Sequence, residues 1–185
     1  MRITGGLSKG HGLRSPTSLN IRPTSDQVRE AIFSIIGQDL SGIVLLDLFA
    51  GTGSLGLEGL SRGAARAVFI DHSKRSVKLI SDNLVSLGLQ DYGIVLKKDL
   101  RKGISQPRSL NNEQFHLVFI DPPYGRDLIP TLLEELSATD LLSTESRVIA
   151  ESSRHEDLPD SFKNLEISDI RLYGDTKISI YAYKG

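Results

Sequence analysis

The residues best suited to chemistry are Asp121, Pro122, Pro123 and Tyr124, which directly follow the apolar run 115–120. Neither proline has a backbone N–H, so this turn offers a carboxylate and bare carbonyl oxygens as hydrogen-bond acceptors. An exocyclic amino group on a planar base could donate to the Asp121 carboxylate and the Pro122 carbonyl, while Tyr124 stacks on the ring. A Pro-rich turn with a buried Tyr after a strand would look the same, so the motif alone leaves both interpretations open.

The elements that must position this turn follow from the hydrophobic pattern. Apolar runs predict strands at residues 43–46, 67–70, 93–96, 115–120 and 147–150. Helical spacing predicts helices from 24 to 36, at 54–61, along the apolar stripe 77–87 and at about 128–136. Thr24 and Gln27 have capping-box spacing at the first helix, and Gly37 can end it. Apolar strands separated by helices imply a parallel sheet covered on both faces.

The last part of the chain has a different pattern. Residues 165–173 and 177–183 alternate apolar and polar side chains around Gly174 and Asp175, which predicts an antiparallel hairpin that closes the sheet. No linker, repeat or low-complexity stretch divides the chain. We therefore predict one doubly wound α/β domain over residues 1–185, of which residues 1–24 form an N-terminal extension.

Composition limits the classes of function. The 185 residues include no cysteine, which excludes disulfide scaffolds, thiolate zinc sites and every mechanism with a cysteine nucleophile, such as the covalent route of pyrimidine C5-methylation. The start of the chain does not resemble a signal segment, and the apolar runs are too short to cross a bilayer. We expect a soluble protein of a reducing cytoplasm.

Charge is balanced overall but uneven along the chain. The formal net charge is −1, yet residues 1–25 contain Arg2, Lys9, Arg14 and Arg22 with no acidic residue. Such an arm can contact phosphates, and its binding would then weaken as salt rises. A flexible, soluble terminus would have the same composition.

A glycine-rich turn follows the first predicted strand, where ligands of open α/β sheets bind. Gly51, Gly53 and Gly56 match the dinucleotide pattern G-x-G-x-x-G, so binding of NAD is one interpretation. Asp47, however, lies at the strand end, four positions before Gly51. Its carboxylate would favour a cationic ligand over a pyrophosphate.

Three further acids follow the next three predicted strands. Asp71, twenty residues after Gly51, could accept hydrogen bonds from ribose hydroxyls, and Asp99 could accept one from an adenine amino group. For Asp99 alone, a solvated loop residue is the simpler interpretation. Together with Asp47 and Asp121, these acids fit S-adenosylmethionine, an adenosine ligand with a positive centre, better than NAD.

Several segments together resemble a known family. Residues 2–6 (RITGG), 21–24 (IRPT), 28–33 (VREAIF), the glycine turn and 121–124 (DPPY) are similar to the bacterial 16S ribosomal RNA guanine-N2 methyltransferases of the RsmD type. The likeness spans nearly the whole chain. Its specific part is the N-terminal series, because many amino-methyltransferases share the glycine turn and the DPPY segment. The family commonly has Glu at the position of Asp71, which is a conservative difference.

The resemblance implies a Rossmann-like class I methyltransferase with a mostly parallel seven-stranded sheet. It implies methyl transfer from S-adenosylmethionine to N2 of one guanosine in 16S rRNA, within an assembled or assembling small subunit, by a cytoplasmic monomer that needs no metal or membrane. The implied catalytic residues are Asp121, Pro122, Pro123 and Tyr124. The implied cofactor-binding residues are Asp47, Phe49, Ala50, Gly51, Thr52, Gly53, Asp71, His72, Asp99, Leu100 and Asp121. The implied RNA-binding residues are Arg2, Lys9, Arg14, Arg22 and Arg29, with a structural ion pair as the alternative for Arg29.

Three other functions stay open on the sequence. Adenine-N6 DNA methyltransferases also use a DPPY turn, but they usually carry a sizeable target-recognition region, and no loop here is long enough for one. An NAD-dependent oxidoreductase and a non-catalytic RNA-binding domain are alternatives from other classes.

Overall fold

A computed structural model describes residues 1–15, 26–104, 113–123 and 128–185. They form two compact units, Met1–Lys98 and Asp99–Gly185. The elements of the first unit are α1 (Asp26–Ile36), β1 (Val44–Leu48), α2 (Ser54–Ser61), β2 (Arg66–Asp71), α3 (Lys74–Leu87) and β3 (Gly93–Lys97). The order of strands and helices is the predicted one. The predicted capping residue Thr24 lies outside the described residues, and the single-domain organisation stays a prediction.

The first unit is built on three parallel strands with β2 in the middle. Leu48 of β1 pairs with Ile70 of β2, and Asp71 pairs with Lys97 of β3. The carboxyl ends of these strands therefore lie at one edge, as the sequence predicts. Residues 67–70 of β2 are almost completely buried, as is typical of the central strand of a parallel sheet.

Helix α2 packs unusually close to the strands through its glycines. A Cβ atom added to Gly56 would lie 2.3 Å from Cε1 of Phe69, and one added to Gly59 would lie 2.2 Å from Cδ1 of Leu45. Both neighbouring side chains are fully buried. The short distance between α2 and β2 therefore requires a residue without a side chain at position 56.

We expect Gly56→Ala to destabilise the protein. Forcing a methyl group into a packed core costs about 1–3 kcal/mol. We expect this clash with the buried Phe69 ring to outweigh the higher helix propensity of alanine. Gly12→Ala is the matched control, since nothing lies within 4 Å of a Cβ at Gly12. Urea unfolding of both variants measures the difference. Equal midpoints for Gly56→Ala and the wild type would contradict this packing argument.

The first residues of the chain form a short antiparallel hairpin. Arg2 pairs with Gly12, the N–H of Ile3 donates to the carbonyl of His11 at 3.0 Å, and the N–H of Gly10 donates to the carbonyl of Ile3 at 2.8 Å. We call residues 1–15 the N-terminal hairpin. Its apolar residues Ile3 and Leu13 are buried.

The second unit combines parallel and antiparallel strands. Its elements are β4 (Phe115–Ile120), α4 (Leu128–Ser137), β5 (Leu142–Ser153), β6 (Ser161–Phe162), β7 (Leu165–Tyr173) and β8 (Thr176–Tyr183). Strand β4 is parallel to β5, whereas β8 pairs antiparallel with both β5 and β7. The predicted C-terminal hairpin is confirmed, and its turn uses Gly174 at a φ of 58°. The two-residue strand β6 adds an eighth described strand to the seven predicted.

Strand β5 is much longer than the predicted segment 147–150. It starts at Leu142, which pairs with Phe115, and an irregularity around Glu145, at a φ of 63°, separates this pairing from that of Arg147 with Leu117. The polar residues 143–146 interrupt the apolar run, so the sequence pattern hid this half of the strand.

Across the described ranges, no helix is both long and apolar enough to cross a membrane.

Candidate active site

The turn after β1 is built from residues in unusual backbone conformations. Phe49, Gly51 and Gly53 have φ angles of 61°, 55° and 78°, all in the left-handed region that favours glycine. The N–H of Ala50 donates to the carbonyl of Ile70 at 3.1 Å, which ties the turn to β2. The side of Gly51 where a Cβ would lie is open, since the nearest atom is 3.7 Å away. A ligand can therefore approach the backbone there.

Asp71 holds this glycine turn from the end of β2. Its Oδ2 accepts the N–H of Gly51 at 2.9 Å, and its Oδ1 accepts the N–H of Ser73 at 2.8 Å. The side chain is 8% exposed, and the imidazole of His72 lies 3.6 Å from Oδ1. Each carboxylate oxygen can accept a second hydrogen bond, so contact with a ribose hydroxyl is compatible with these bonds. That contact stays a prediction.

Asp47 is buried beneath the same turn. Its Oδ2 accepts the N–H of Gly56 at 2.9 Å, so the carboxylate satisfies a backbone donor in the first turn of α2. Burial, reinforced by the charge of Asp71, raises the pKa of Asp47 to about 7, although the Gly56 hydrogen bond opposes the shift. The observed contact anchors the turn to the helix, and contact with a cationic ligand stays a prediction.

The stability of the protein should depend on pH through Asp47. Its folded pKa of about 7 lies above the ordinary value of 3.8, so the native state binds this proton more tightly than the unfolded state. The contribution of Asp47 is fully present below pH 4 and is lost as the pH rises towards 7. Asp47→Asn keeps an acceptor for Gly56 and removes the charge. We expect the free energy of unfolding of Asp47→Asn, relative to that of the wild type, to be higher at pH 8 than at pH 4 by on the order of a few kcal/mol. Chemical denaturation at both pH values measures the gain, and an equal difference at both would contradict it.

Asp99 and Leu100 begin the second unit. The Asp99 side chain accepts the N–H of Arg101 at 3.2 Å, which caps a single 3-10 turn at Leu100–Lys102. It also pairs with the Arg101 guanidinium at 2.6 Å, and Leu100 is buried. An adenine amino group would have to share the Asp99 carboxylate with this arginine. The adenine contact stays a prediction.

Asp121 and Pro122, the predicted hydrogen-bond acceptors for the amino group of a base, directly follow β4. The strand ends at Ile120, after which Asp121 is half-buried, Pro122 is buried and Pro123 is exposed. The carbonyl ends of β4 and the parallel β5 point the same way, so Asp121 lies at the end of the strand where ligands of α/β sheets bind. Tyr124 lies outside the described residues, and its stacking role stays a prediction.

The cations of the N-terminal hairpin are at its surface. Arg2, Lys9 and Arg14 are all exposed, with the Arg14 guanidinium 3.6 Å from a carboxylate oxygen of Asp82. Within residues 1–15 there is no acidic side chain to offset them. Their contact with phosphates stays a prediction, and Arg22 lies outside the described residues.

The structure corrects the prediction that Arg29 contacts RNA. Its side chain is fully buried, so it cannot reach an RNA phosphate, and the prediction of RNA contact is wrong. Its Nε donates to Oε2 of Glu58 at 3.1 Å, and its Nη2 donates to Oδ1 of Asp26 at 3.0 Å and to the carbonyl of Arg2. The alternative, a structural ion pair, is the observed one.

Glu58 is the centre of a buried network that the sequence analysis did not identify. Besides Arg29, it accepts hydrogen bonds from Nε and Nη2 of Arg62, at 3.0 and 2.8 Å, and from the N–H and hydroxyl of Thr4, at 2.9 and 2.8 Å. The Arg62 guanidinium also lies 4.8 Å from the centre of the Phe33 ring. The network fastens the N-terminal hairpin and α1 to α2. The available signal was a charged pair at i and i+4, with Glu58 inside an apolar helix and Arg62 directly after its last residue.

Comparison with known proteins identifies the family. A family model described as "Conserved hypothetical protein 95" matches residues 1–182. The Escherichia coli ribosomal RNA small subunit methyltransferase D is 31% identical over 181 residues, which cover 98% of this chain and 89% of that protein. The chain belongs to the RsmD family. The Bacillus subtilis member YlbH, provisionally named an rRNA methyltransferase, is 32% identical over 185 residues and covers both chains completely.

Solved structures agree with membership in the RsmD family. The Escherichia coli protein yhhF, provisionally named a methyltransferase, superposes with a TM-score of 0.85 at 29% identity, covering 100% of this chain and 98% of that one. The predicted class I methyltransferase fold is confirmed. Membership does not favour the adenine-N6 DNA methyltransferase, the oxidoreductase or the non-catalytic binding domain.

Proposed function

We propose that this protein transfers the methyl group of S-adenosylmethionine to the N2 amino group of a guanosine in 16S ribosomal RNA. The single observation that carries the proposal is the whole-length relationship to the RsmD family. The glycine turn held by Asp71 and the acceptors Asp121 and Pro122 after β4 supply groups that suit this reaction. We also propose that the enzyme acts in the cytoplasm, as a monomer, on the small subunit or its assembly intermediate.

The glycine turn and its two acids form the proposed cofactor site of the first unit. The half-buried backbone of Gly51 meets the ligand, and Asp71 accepts the ribose hydroxyls while it fixes Gly51. Asp47 adds a carboxylate beneath the turn, which suits the positive sulfonium. In the second unit, Asp99 and Leu100 stay predicted cofactor contacts.

The proposed chemistry needs little from the protein beyond orientation and electrostatics. Guanine N2 is a weak nucleophile because its lone pair is delocalised into the ring. Hydrogen bonds from the amino group to Asp121 and the Pro122 carbonyl rotate the nitrogen out of conjugation. The N–CH3 bond then forms as the methyl–sulfur bond breaks, which leaves S-adenosylhomocysteine. The positive charge that develops on nitrogen meets the Asp121 carboxylate, and the proton leaves to Asp121 or to water.

The N-terminal hairpin is the proposed RNA contact. Arg2, Lys9 and Arg14 present three exposed cations on a segment without acids, and Arg22 continues the series along the chain. Each phosphate contact of this kind raises the salt dependence of binding. The contribution is independent of RNA sequence, so selection of one guanosine depends on other contacts.

Substrate class is tested by methyl incorporation. The purified protein and S-adenosylmethionine with a tritiated methyl group are incubated with small ribosomal subunits from cells that lack the enzyme, with naked 16S rRNA and with duplex DNA. We expect label in the ribosomal substrate and none in DNA. Label in DNA alone would overturn the proposed substrate, and binding of RNA without any transfer would indicate the non-catalytic module.

A further inference from the structure

Asn83 is a polar residue on the buried face of α3, which also carries Ser76, Ile80 and Leu84, and its side chain is fully buried. Its Oδ1 accepts the N–H of Arg14 at 2.8 Å, and its Nδ2 donates to the carbonyl of Arg14 at 3.2 Å and to the carbonyl of Thr52 at 3.1 Å. Both amide protons and the oxygen are thus used. One side chain joins the end of the N-terminal hairpin to the middle of the glycine turn.

The residue type fits this position for a physical reason. Burying an amide is unfavourable unless its donors and acceptor are paired, so a helix face that only packs would carry an aliphatic residue. The side-chain amide of Asn83 instead pairs with the Arg14 backbone as a neighbouring strand would. Aspartate could keep the bond from the Arg14 N–H, but it would set a carboxylate against two carbonyl oxygens.

The Thr52 carbonyl lies between two residues of the glycine turn that are each held by a hydrogen bond. The preceding residue, Gly51, is held by Asp71 at 2.9 Å, and the following residue, Gly53, donates to the carbonyl of Ala50 at 2.6 Å and is the N-cap of α2. Asn83 therefore fixes the turn from α3, while Asp71 fixes it from β2. A shift of the Arg14 backbone changes one of these two supports.

The rest of the N-terminal hairpin is attached elsewhere. The hydroxyl of Thr4 donates to Glu58. The N–H of Leu7 donates to the carbonyl of Ser61 at 2.7 Å, and the N–H of Ser8 donates to the hydroxyl of Ser61 at 2.9 Å. Loss of the Asn83 contact thus loosens the backbone at the Arg14 end of the hairpin, where the ion pair of Arg14 with Asp82 remains, without detaching residues 3–8. The contact can be tested separately from attachment of the hairpin.

We infer that Asn83 is a positioning residue that couples RNA bound on the N-terminal hairpin to cofactor bound at the glycine turn. The inference rests on the proposed function. RNA phosphates on Arg14 order its backbone, Asn83 transmits this order to Thr52, and the turn then binds cofactor more tightly. Because such coupling is reciprocal, cofactor strengthens RNA binding by the same factor.

The test measures a coupling factor. The dissociation constant of S-adenosylhomocysteine is determined by calorimetry with and without saturating small ribosomal subunits from cells that lack the enzyme. We expect subunits to tighten binding at least about fivefold in the wild type and to leave it unchanged in Asn83→Leu. Val85→Ala, at an exposed position of the same helix, is the control that keeps the wild-type factor.

A second pair of variants avoids any change in the core. Arg14→Pro removes the N–H that Asn83 accepts, whereas Arg14→Ala keeps it, and both remove the same cation. We expect Arg14→Pro to lose the coupling and Arg14→Ala to retain it, with weaker subunit binding in both. Because both variants lose the cation, the difference between them reports the Arg14 N–H and not the charge.

The outcomes distinguish the inference from the function on which it rests. The inference alone would be overturned if the wild type, Asn83→Leu and Arg14→Pro showed equal coupling factors. It would also be overturned if the wild type bound both ligands with a coupling factor of one. Failure of the wild type to bind S-adenosylhomocysteine at all would overturn both.

Discussion

Replacing Asp121 by alanine should abolish methyl transfer while cofactor binding stays close to that of the wild type. The carboxylate follows β4 and is the one charged acceptor in the segment 121–123. Loss of a preorganised group that meets charge in a transition state costs about 10²–10³-fold in rate. Single-turnover transfer to small ribosomal subunits measures the rate, and calorimetry with S-adenosylhomocysteine measures cofactor affinity.

Asp121→Asn is the matched variant for the charge. It retains an oxygen acceptor of similar shape but cannot offset positive charge on the nitrogen or take its proton. We expect an intermediate rate for Asp121→Asn, above that of Asp121→Ala. Full activity in Asp121→Ala would end the catalytic assignment, and a parallel loss of cofactor affinity in both variants would assign Asp121 to cofactor binding instead.

The second large effect is expected at Glu58. Glu58→Ala removes the acceptor of two buried arginines, Arg29 and Arg62, and of both Thr4 donors. Breaking a buried ion pair from one side is destabilising by about 3–5 kcal/mol, because it leaves uncompensated charge in the interior. This is a large share of the total stability of a typical domain. Urea unfolding followed by circular dichroism measures it.

Glu30→Ala is the matched control for Glu58→Ala. Glu30 is an exposed acid on the adjacent helix α1, where loss of a surface charge changes stability by less than about 1 kcal/mol. We also expect Glu58→Ala to expose the N-terminal hairpin to proteolysis, since both Thr4 donors lose their acceptor. A cost of Glu58→Ala no larger than that of Glu30→Ala would contradict the role of the network.

The order of elements was predictable because most parallel strands carry a near-continuous apolar run, the C-terminal hairpin alternates apolar and polar residues, and the helices show apolar residues at helical spacing. Helix α2 matches the predicted 54–61 exactly in extent, since the glycine turn before it and the apolar residues within it mark both ends. Strand β5 was underestimated because its first half is polar and irregular around Glu145. Hydrophobic pattern reports burial, and a polar segment can still pair in a sheet.

The strand-end acids were predictable in position but only partly in contact. Asp71 lies at the end of β2 beside Gly51, as a parallel sheet requires. The sequence could not show that Asp47 turns inward to Gly56, or that Arg29 is buried rather than exposed. Both depend on partners distant along the chain, and Asn83 was missed for the same reason.

The central claim concerns the atom that receives the methyl group. Small ribosomal subunits from cells that lack the enzyme are treated with the purified protein and S-adenosylmethionine, and the RNA is digested to nucleosides and analysed by mass spectrometry against standards. We predict N2-methylguanosine as the new nucleoside, present with the wild type and absent with Asp121→Ala. A different methylated nucleoside, such as N6-methyladenosine, or no new methylated nucleoside at all, would contradict the account.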